Sequence, residues 1–103
     1  MGFIYILYLI LRGVVLSNLR EENSKIILKA ICKELKMIRA YKEYPQEKVA
    51  SEMNITRAFL SNLENGRIDQ FKFITVIELC DYYNVTLSEL ITRTKNNNPT
   101  INV

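Results

Sequence analysis

The stretch that decides the fold of this chain is Gln46-Glu-Lys-Val-Ala-Ser-Glu-Met-Asn-Ile-Thr-Arg-Ala-Phe-Leu-Ser-Asn-Leu-Glu-Asn-Gly-Arg67. Its helix-capping and turn residues predict two short helices joined by a tight turn. Pro45 suits the opening of the first helix, and Asn54 suits a left-handed residue that closes it. Thr56 is a natural N-cap for the second helix, which Asn65-Gly66 would end.

The residues at the crossing of these two helices also suit close packing of one helix on the other. Val49, Ala50 and Met53 turn inward from the first helix, and Leu60 and Leu63 turn inward from the second. Ala50 is small where a larger side chain would push the second helix away. The pattern predicts a helix-turn-helix over about residues 45–65, although an αα-hairpin of any helical domain has similar features.

The flanking sequence is helical as well. Before the stretch, apolar residues recur at spacings of three and four, which is the period of a helix: Leu28, Ile31, Leu35, Ile38. We expect helix 1 from Lys25 to about 41–44, a fourth helix over about 71–83, and a short fifth helix opened by the capping box Thr86-Leu-Ser-Glu89. The prediction is a compact all-α domain of five helices over residues 25–92, followed by a disordered tail over 93–103.

Residues 1–24 precede this domain and begin with an unusually apolar run, Phe3 to Leu11. The run is too short for a helix that spans a bilayer, which needs about 20 residues, and it lacks the flanks of a signal peptide. Three interpretations stay open: an extra helix, a weak anchor on a membrane surface, or a mis-annotated start. The last is motivated by Arg12-Gly13-Val14, which a purine-rich ribosome-binding site would encode before a start at Val15 or Leu16.

Composition limits the possible functions. The 103 residues allow one domain with a single core, and the net charge of +3 is too small to indicate nucleic-acid binding alone. The charge is polarised, however, because residues 25–72 hold ten bases and six acids while residues 73–92 hold three acids and no base. A chain without histidine, a nucleophile-base pair or a phosphate-binding glycine loop gives no basis for an enzyme, a cofactor or a small-molecule site.

The two cysteines, Cys32 and Cys80, lie in apolar helical surroundings without paired metal-ligand spacing. We therefore expect no metal site. Both are predicted to be reduced, buried, small apolar side chains of a cytosolic protein, with a disulfide or redox role as the alternative.

The stretch from Gln46 to Arg67 closely resembles the Cro/phage-repressor family, also called the Xre family, whose pattern runs Q-x-x-L-A, then I-[ST]-x-x-x-[IL]-S-x-[IL]-E-N-G. The segment Asn84-Val-Thr-Leu-Ser-Glu-Leu90 resembles the family's G-V-[ST]-L-x-x-L ending. The chain departs from the pattern at Pro45, where a capping Ser or Thr is common, and at Asn54, where the family has a turn glycine. The resemblance implies a lambda-repressor-like fold and a cytoplasmic, nucleoid-associated transcriptional regulator of bacteria or phage.

The resemblance also implies which residues face double-stranded DNA. The second helix of the pair would be the recognition helix, which enters the major groove by its N-terminal residues. Thr56, Arg57, Ala58 and Asn62 would face the bases, with Arg57 suited to guanine. Gln46 would bond the DNA backbone and support this helix, Lys48 and Arg67 would contact phosphates, and Ser61 is a weaker candidate. Phe59 is either a wedge in the groove or a packing residue against helix 2 or 4.

Two further expectations concern structure and partners. Arg39 and Glu64 align with a family pair that forms a salt bridge between helix 1 and the end of helix 3. Because one recognition helix reads only a few base pairs, a homodimer on a palindromic operator is expected, with Leu90 and Ile91 of helix 5 as the dimer surface. The alternative function is an antitoxin or protein-interaction module on the same scaffold.

Overall fold

A computed structural model of the chain describes residues 2–67 and 73–101, without the side chains of residues 13–19. The prediction of an all-α fold is confirmed, since the elements in these ranges are helices. They are α1 (Gly2–Tyr41), α2 (Gln46–Glu52), α3 (Arg57–Glu64), α4 (Phe73–Tyr82) and α5 (Leu87–Asn97). The predicted start of the fourth helix at Phe71 lies outside the described residues.

Helix α1 begins at Gly2, so the prediction that helix 1 starts at Lys25 is wrong. The apolar leader forms the first part of the same 40-residue helix rather than a separate element. No proline interrupts residues 2–41, so no residue of the leader lacks the backbone N–H that the helix needs. Within the described ranges, no helix is both long and apolar enough to cross a membrane.

The core lies between the C-terminal half of α1 and the four shorter helices. Leu35 and Ile38 of α1 are buried in one hydrophobic cluster with residues of the four shorter helices and with Tyr83, which follows α4: Val49, Ala50, Leu60, Leu63, Val76, Leu79, Cys80, Tyr83, Leu90. Leu90 is fully buried, so the predicted dimer surface is wrong for this residue, because its side chain is already used by the core. Ile91 stays half-buried at the surface.

Left-handed residues end the helices where the sequence predicts them. Asn54 and Asn84 have φ of 56° and 58°, and Gly66 has φ of 67°. A Cβ at Gly66 would meet Cγ of Lys29 at 3.0 Å, so the residue also permits close approach to α1. Glu43, which follows α1, also has a left-handed φ of 58°. The sequence around it does not predict a left-handed residue there.

The prediction that the tail is disordered from residue 93 is wrong, because α5 continues to Asn97. The reason is a set of contacts made by polar residues. Thr94 is buried and donates to the carbonyl of Leu90, at 2.8 Å. Arg93 and Asn97 both donate to the carboxylate of Glu34 on α1, at 3.2 and 2.9 Å. These contacts attach the last turns of α5 to α1.

Both cysteines are free and buried, as expected from their apolar surroundings. Burial raises the pKa of the Cys32 thiol to about 11 and also raises that of Cys80. A high pKa keeps the reactive thiolate form rare near neutral pH.

Candidate nucleic-acid interface

The surface of interest is built by α2 and α3, which cross through a four-residue turn. Val49 and Ala50 are buried on α2, and the backbone N–H of Ile55 donates to the carbonyl of Ala50 at 3.0 Å. The Thr56 hydroxyl accepts the N–H of Phe59 at 3.0 Å, which confirms the predicted N-cap of α3. The small residue at the crossing and the cap together fix where α3 begins.

The other end of α3 is held by Glu64, a residue that is only 3% exposed. Arg39 of α1 donates to it twice, from Nε at 2.6 Å and from Nη2 at 3.0 Å. Gln46 of α2 donates to the same carboxylate at 2.9 Å. Arg39 also donates to the carbonyl of Tyr44 at 2.8 Å. One buried acid thus joins α1, α2 and α3, and the orientation of α3 depends on it.

The surroundings of Glu64 shift the pKa values of Arg39 and Tyr83. The hydrogen bond with Glu64 raises the pKa of Arg39, which keeps the guanidinium charged. Burial, and secondarily the charge of Glu64, raises the pKa of Tyr83. Among the described residues, the hydroxyl of Tyr83 is a buried side-chain atom that lacks a hydrogen-bond partner.

The outer face of α3 is open to solvent at the positions where the sequence predicts DNA contacts. Thr56, Arg57, Ala58 and Asn62 are all exposed. Ala58 and Asn62 lie on the side of α3 opposite the buried Leu60 and Leu63, whereas Arg57 and the N-cap Thr56 lie at its exposed N-terminal end. The fold therefore brings these four predicted residues together on one accessible surface, which we call the α3 face.

Phe59 and Ser61, the other two candidate residues of α3, are half-buried. Phe59 packs against the hydrophobic core and lines a shallow depression with Ile55 and Thr75 of α4. The backbone carbonyl of Ser61 accepts a bond from the side chain of Asn65 at 2.8 Å. Of the two alternatives for Phe59, packing is the one seen in the free protein.

Arg57, the residue suited to guanine, is paired with an acid. Its Nε lies 3.1 Å from a carboxylate oxygen of Glu47 in the first turn of α2, and both side chains are about two-thirds exposed. No local signal in the sequence predicts this contact, because the two residues meet only through the crossing of α2 and α3.

Basic residues lie on either side of the α3 face. The Lys48 ammonium lies 4.1 Å from the centre of the Tyr44 ring, a cation–π geometry. Arg67 is exposed just beyond α3, and its backbone N–H donates to the carbonyl of Asn62 at 2.8 Å. Both side chains remain accessible to solvent, as a phosphate contact requires.

Aromatic contacts support α2 from behind. Tyr44 packs edge-to-face on Tyr82, with ring centres 6.1 Å apart. The hydroxyl of Tyr82 donates to Glu52 of α2, which raises the pKa of Tyr82 to about 12. No local signal in the sequence identifies this contact, since 30 residues separate its partners.

Comparison with known proteins places this geometry in context. Residues 28–90, more than half of the chain, match the model of a family described as Helix-turn-helix. The match spans the helix pair, the buried Glu64, all of α4 and the first turn of α5. No curated protein matches the chain.

Proposed function

Because the chain belongs to the Xre/Cro-type helix-turn-helix family, whose members are DNA-binding regulators, we propose that it binds specific double-stranded DNA sequences and regulates transcription, most simply as a repressor. The observation that carries the proposal is the α3 face. Its exposed N-terminal residues stand on a helix that Glu64 fixes to α1 and α2. A helix held in this way can enter a major groove as a rigid unit.

The proposed roles follow from side-chain chemistry. Arg57 bonds O6 and N7 of a guanine, and Asn62 bonds an adenine or a phosphate. The methyl groups of Thr56 and Ala58 contact thymine. These residues read the sequence, whereas phosphate contacts position the protein without reading it.

Lys48 and Arg67 supply the phosphate contacts in this proposal. Gln46 has a second role: it already donates to Glu64 at 2.9 Å, so it connects a DNA-facing position of α2 with the buried support of α3. Phe59 and Ser61 act through packing and through the backbone near the groove rather than through a base.

The proposed assembly on DNA is a homodimer. One α3 face covers only a few base pairs, so two copies related by a two-fold axis read a palindromic operator. The half-sites then lie one helical turn of about 34–36 Å, or a multiple of it, apart.

Selection of binding sites from random duplex DNA, followed by titration of the selected site at several salt concentrations, tests the proposal. A specific binder yields one enriched palindrome, binds it about 1,000-fold or more tightly than random duplex, and loses affinity as salt rises. Recovery of no enriched sequence, with equal affinity for all duplexes at every salt concentration, would contradict it.

A further inference from the structure

Two apolar surfaces of this chain have no partner within the described residues. The first is the N-terminal end of α1, residues 3–11, where every side chain is large, apolar or aromatic, and 45% to 80% exposed. The second is a groove of about 290 Å³ between α1, α4 and α5. Its lining is almost entirely apolar: Ser24, Ile27, Leu28, Ile31, Phe73, Val76, Leu87, Ile91.

The groove continues onto an exposed apolar patch of α4. Phe73, Ile74 and Ile77 are 56%, 62% and 45% exposed. Contiguous apolar surface of this kind marks an interaction site on a protein. The groove and the patch together, called the α4/α5 groove below, need an apolar occupant.

The same chain cannot fill its own groove with its N-terminal end. Helix α1 is continuous from Gly2 to Tyr41, and a helix rises about 1.5 Å per residue. Ile6 therefore lies about 30 Å along the axis from Ile27, on a helix that does not turn back. An N-terminal end that fills the groove therefore has to belong to another molecule.

The periodicity of α1 shows that a second copy fits. Eighteen residues make about five whole helical turns, so Ile6, Leu9 and Ile10 lie on the same side of α1 as Ser24, Ile27 and Leu28. If two copies of α1 pack antiparallel with a two-fold axis near residue 17, each N-terminal end lies against the groove of the other copy. The exposed end and the open groove thus face the same direction.

We infer that the chain forms a homodimer in which residues 3–11 of each copy occupy the α4/α5 groove of the other. The inference takes the homodimer of the proposed function as its starting point and assigns the surface that forms it. A lipid bilayer would cover the N-terminal end but leave the groove empty, whereas a second copy covers both. The exchange also leaves the α3 face free, since no residue of that face lines the groove.

Mass measurement in solution on full-length variants tests this interface. The double variant Ile6→Glu/Ile10→Glu places two charges on the side that faces the groove. Ile4→Glu/Tyr8→Glu, with the same spacing and the same added charge, places them on the opposite side. We expect the first to weaken dimerisation about 100-fold or more, because each charge replaces a buried isoleucine contact, and the second to leave the dimer intact.

Two more experiments keep the test independent of folding. Phe73→Glu changes the exposed wall of the groove and should also produce monomers with an unchanged helical spectrum. A mixture of Ile10→Cys and Ser24→Cys chains should form a disulfide between chains. Neither variant alone should cross-link, and a mixture of Ile4→Cys with Ser24→Cys should not.

Three results would overturn the inference. They are a wild-type chain that is monomeric at high micromolar concentration, a dimer that both glutamate pairs leave unchanged, and a monomer that floats with vesicles of phosphatidylcholine and phosphatidylglycerol. The last result would assign residues 3–11 to a lipid surface. The proposed function is tested separately, because a dimer without DNA binding contradicts only that proposal, and a monomer that binds DNA contradicts only this inference.

Discussion

The guanidinium of Arg57 lies 3.1 Å from the carboxylate of Glu47, so the side chain best suited to read a base is paired with an acid in the free protein. The pair is exposed and therefore weak, and DNA can displace it. Until it is displaced, Glu47 holds the arginine against α2 and places a negative charge near incoming phosphates. If the α3 face binds DNA as proposed, this pair should lower the affinity and set the starting position of Arg57.

Replacement of Glu47 by glutamine should strengthen DNA binding. The change removes a repulsive charge and frees Arg57, while an exposed pair contributes at most about 1 kcal/mol to the free protein. We expect an affinity about two- to fivefold higher for the selected operator, measured by fluorescence anisotropy at fixed salt. Glu89→Gln on α5, far from the pair, serves as the control and should have no effect. Weaker binding by Glu47→Gln would show that the acid helps to position Arg57 for DNA.

Replacement of Arg57 by alanine should cost about 1 to 3 kcal/mol on the selected operator and relax the preference at one base pair. The reason is that a bidentate contact to guanine is lost while the phosphate contacts remain. Lys48→Ala is the matched comparison, since it should weaken all sequences about equally and reduce the salt dependence. If Arg57→Ala also weakens all sequences equally, Arg57 contacts a phosphate instead.

The parts of this structure that the sequence predicts are those set by neighbouring residues. Thr56 caps α3 and Asn54 closes the turn because each acts on the backbone within three residues. The predicted end of α5 is wrong because Lys95-Asn-Asn-Asn has a composition typical of a disordered tail. This segment is helical because residues of α5 bond to Glu34, about 60 residues earlier in the chain. The pairing of Glu47 with Arg57 is not predicted either, because these two residues also meet only in the folded chain.

The family resemblance supplied one contact that local signals do not. The Arg39–Glu64 pair joins residues 25 positions apart, and no periodicity or capping rule identifies it. Residues 3–11 are the opposite case, because their apolar composition is distinctive but does not determine their structure. Only the continuous helix from Gly2 places residues 3–11 away from their own domain.

Replacement of Glu64 by alanine should lower the free energy of unfolding by about 3 to 5 kcal/mol, because Arg39 is left partly buried without its carboxylate and Gln46 loses its acceptor. Thermal melting followed by circular dichroism measures the loss. Glu47→Ala removes an exposed acid and should cost under about 1 kcal/mol. An unchanged melting temperature for Glu64→Ala would refute a supporting role for the buried pair.

Cys32 should resist thiol reagents in the native protein. The residue is 1% exposed and burial raises its pKa to about 11, so only about one thiol in a thousand would be ionised at pH 8. Ellman's reagent at pH 8 should therefore modify it no faster than the protein unfolds. The exposed thiol of Ser51→Cys on α2 gives the reference rate. Rapid modification of Cys32 in a Cys80→Ser chain would show that the core opens locally around Cys32.

The last turns of α5 should be needed for stability, although their composition resembles that of a tail. Arg93 and Asn97 are the hydrogen-bond partners of the buried Glu34 carboxylate. Their joint replacement by alanine leaves that charge buried and unpaired, so we expect a loss of about 3 kcal/mol by urea denaturation. About half the Arg93 side chain is exposed, and its share of this loss is reduced accordingly by solvent screening.

The outer face of the same helix provides the control. Lys95 and Asn96 are exposed, and their joint replacement by alanine removes the same number of polar side chains from the same turns. It should change the free energy of unfolding by less than about 0.5 kcal/mol. Adding Glu34→Gln to the Arg93→Ala/Asn97→Ala variant should recover part of the lost stability, because a neutral amide costs less to bury than a carboxylate. If the third change gives no recovery, the loss arises from packing of α5 rather than from the unpaired charge.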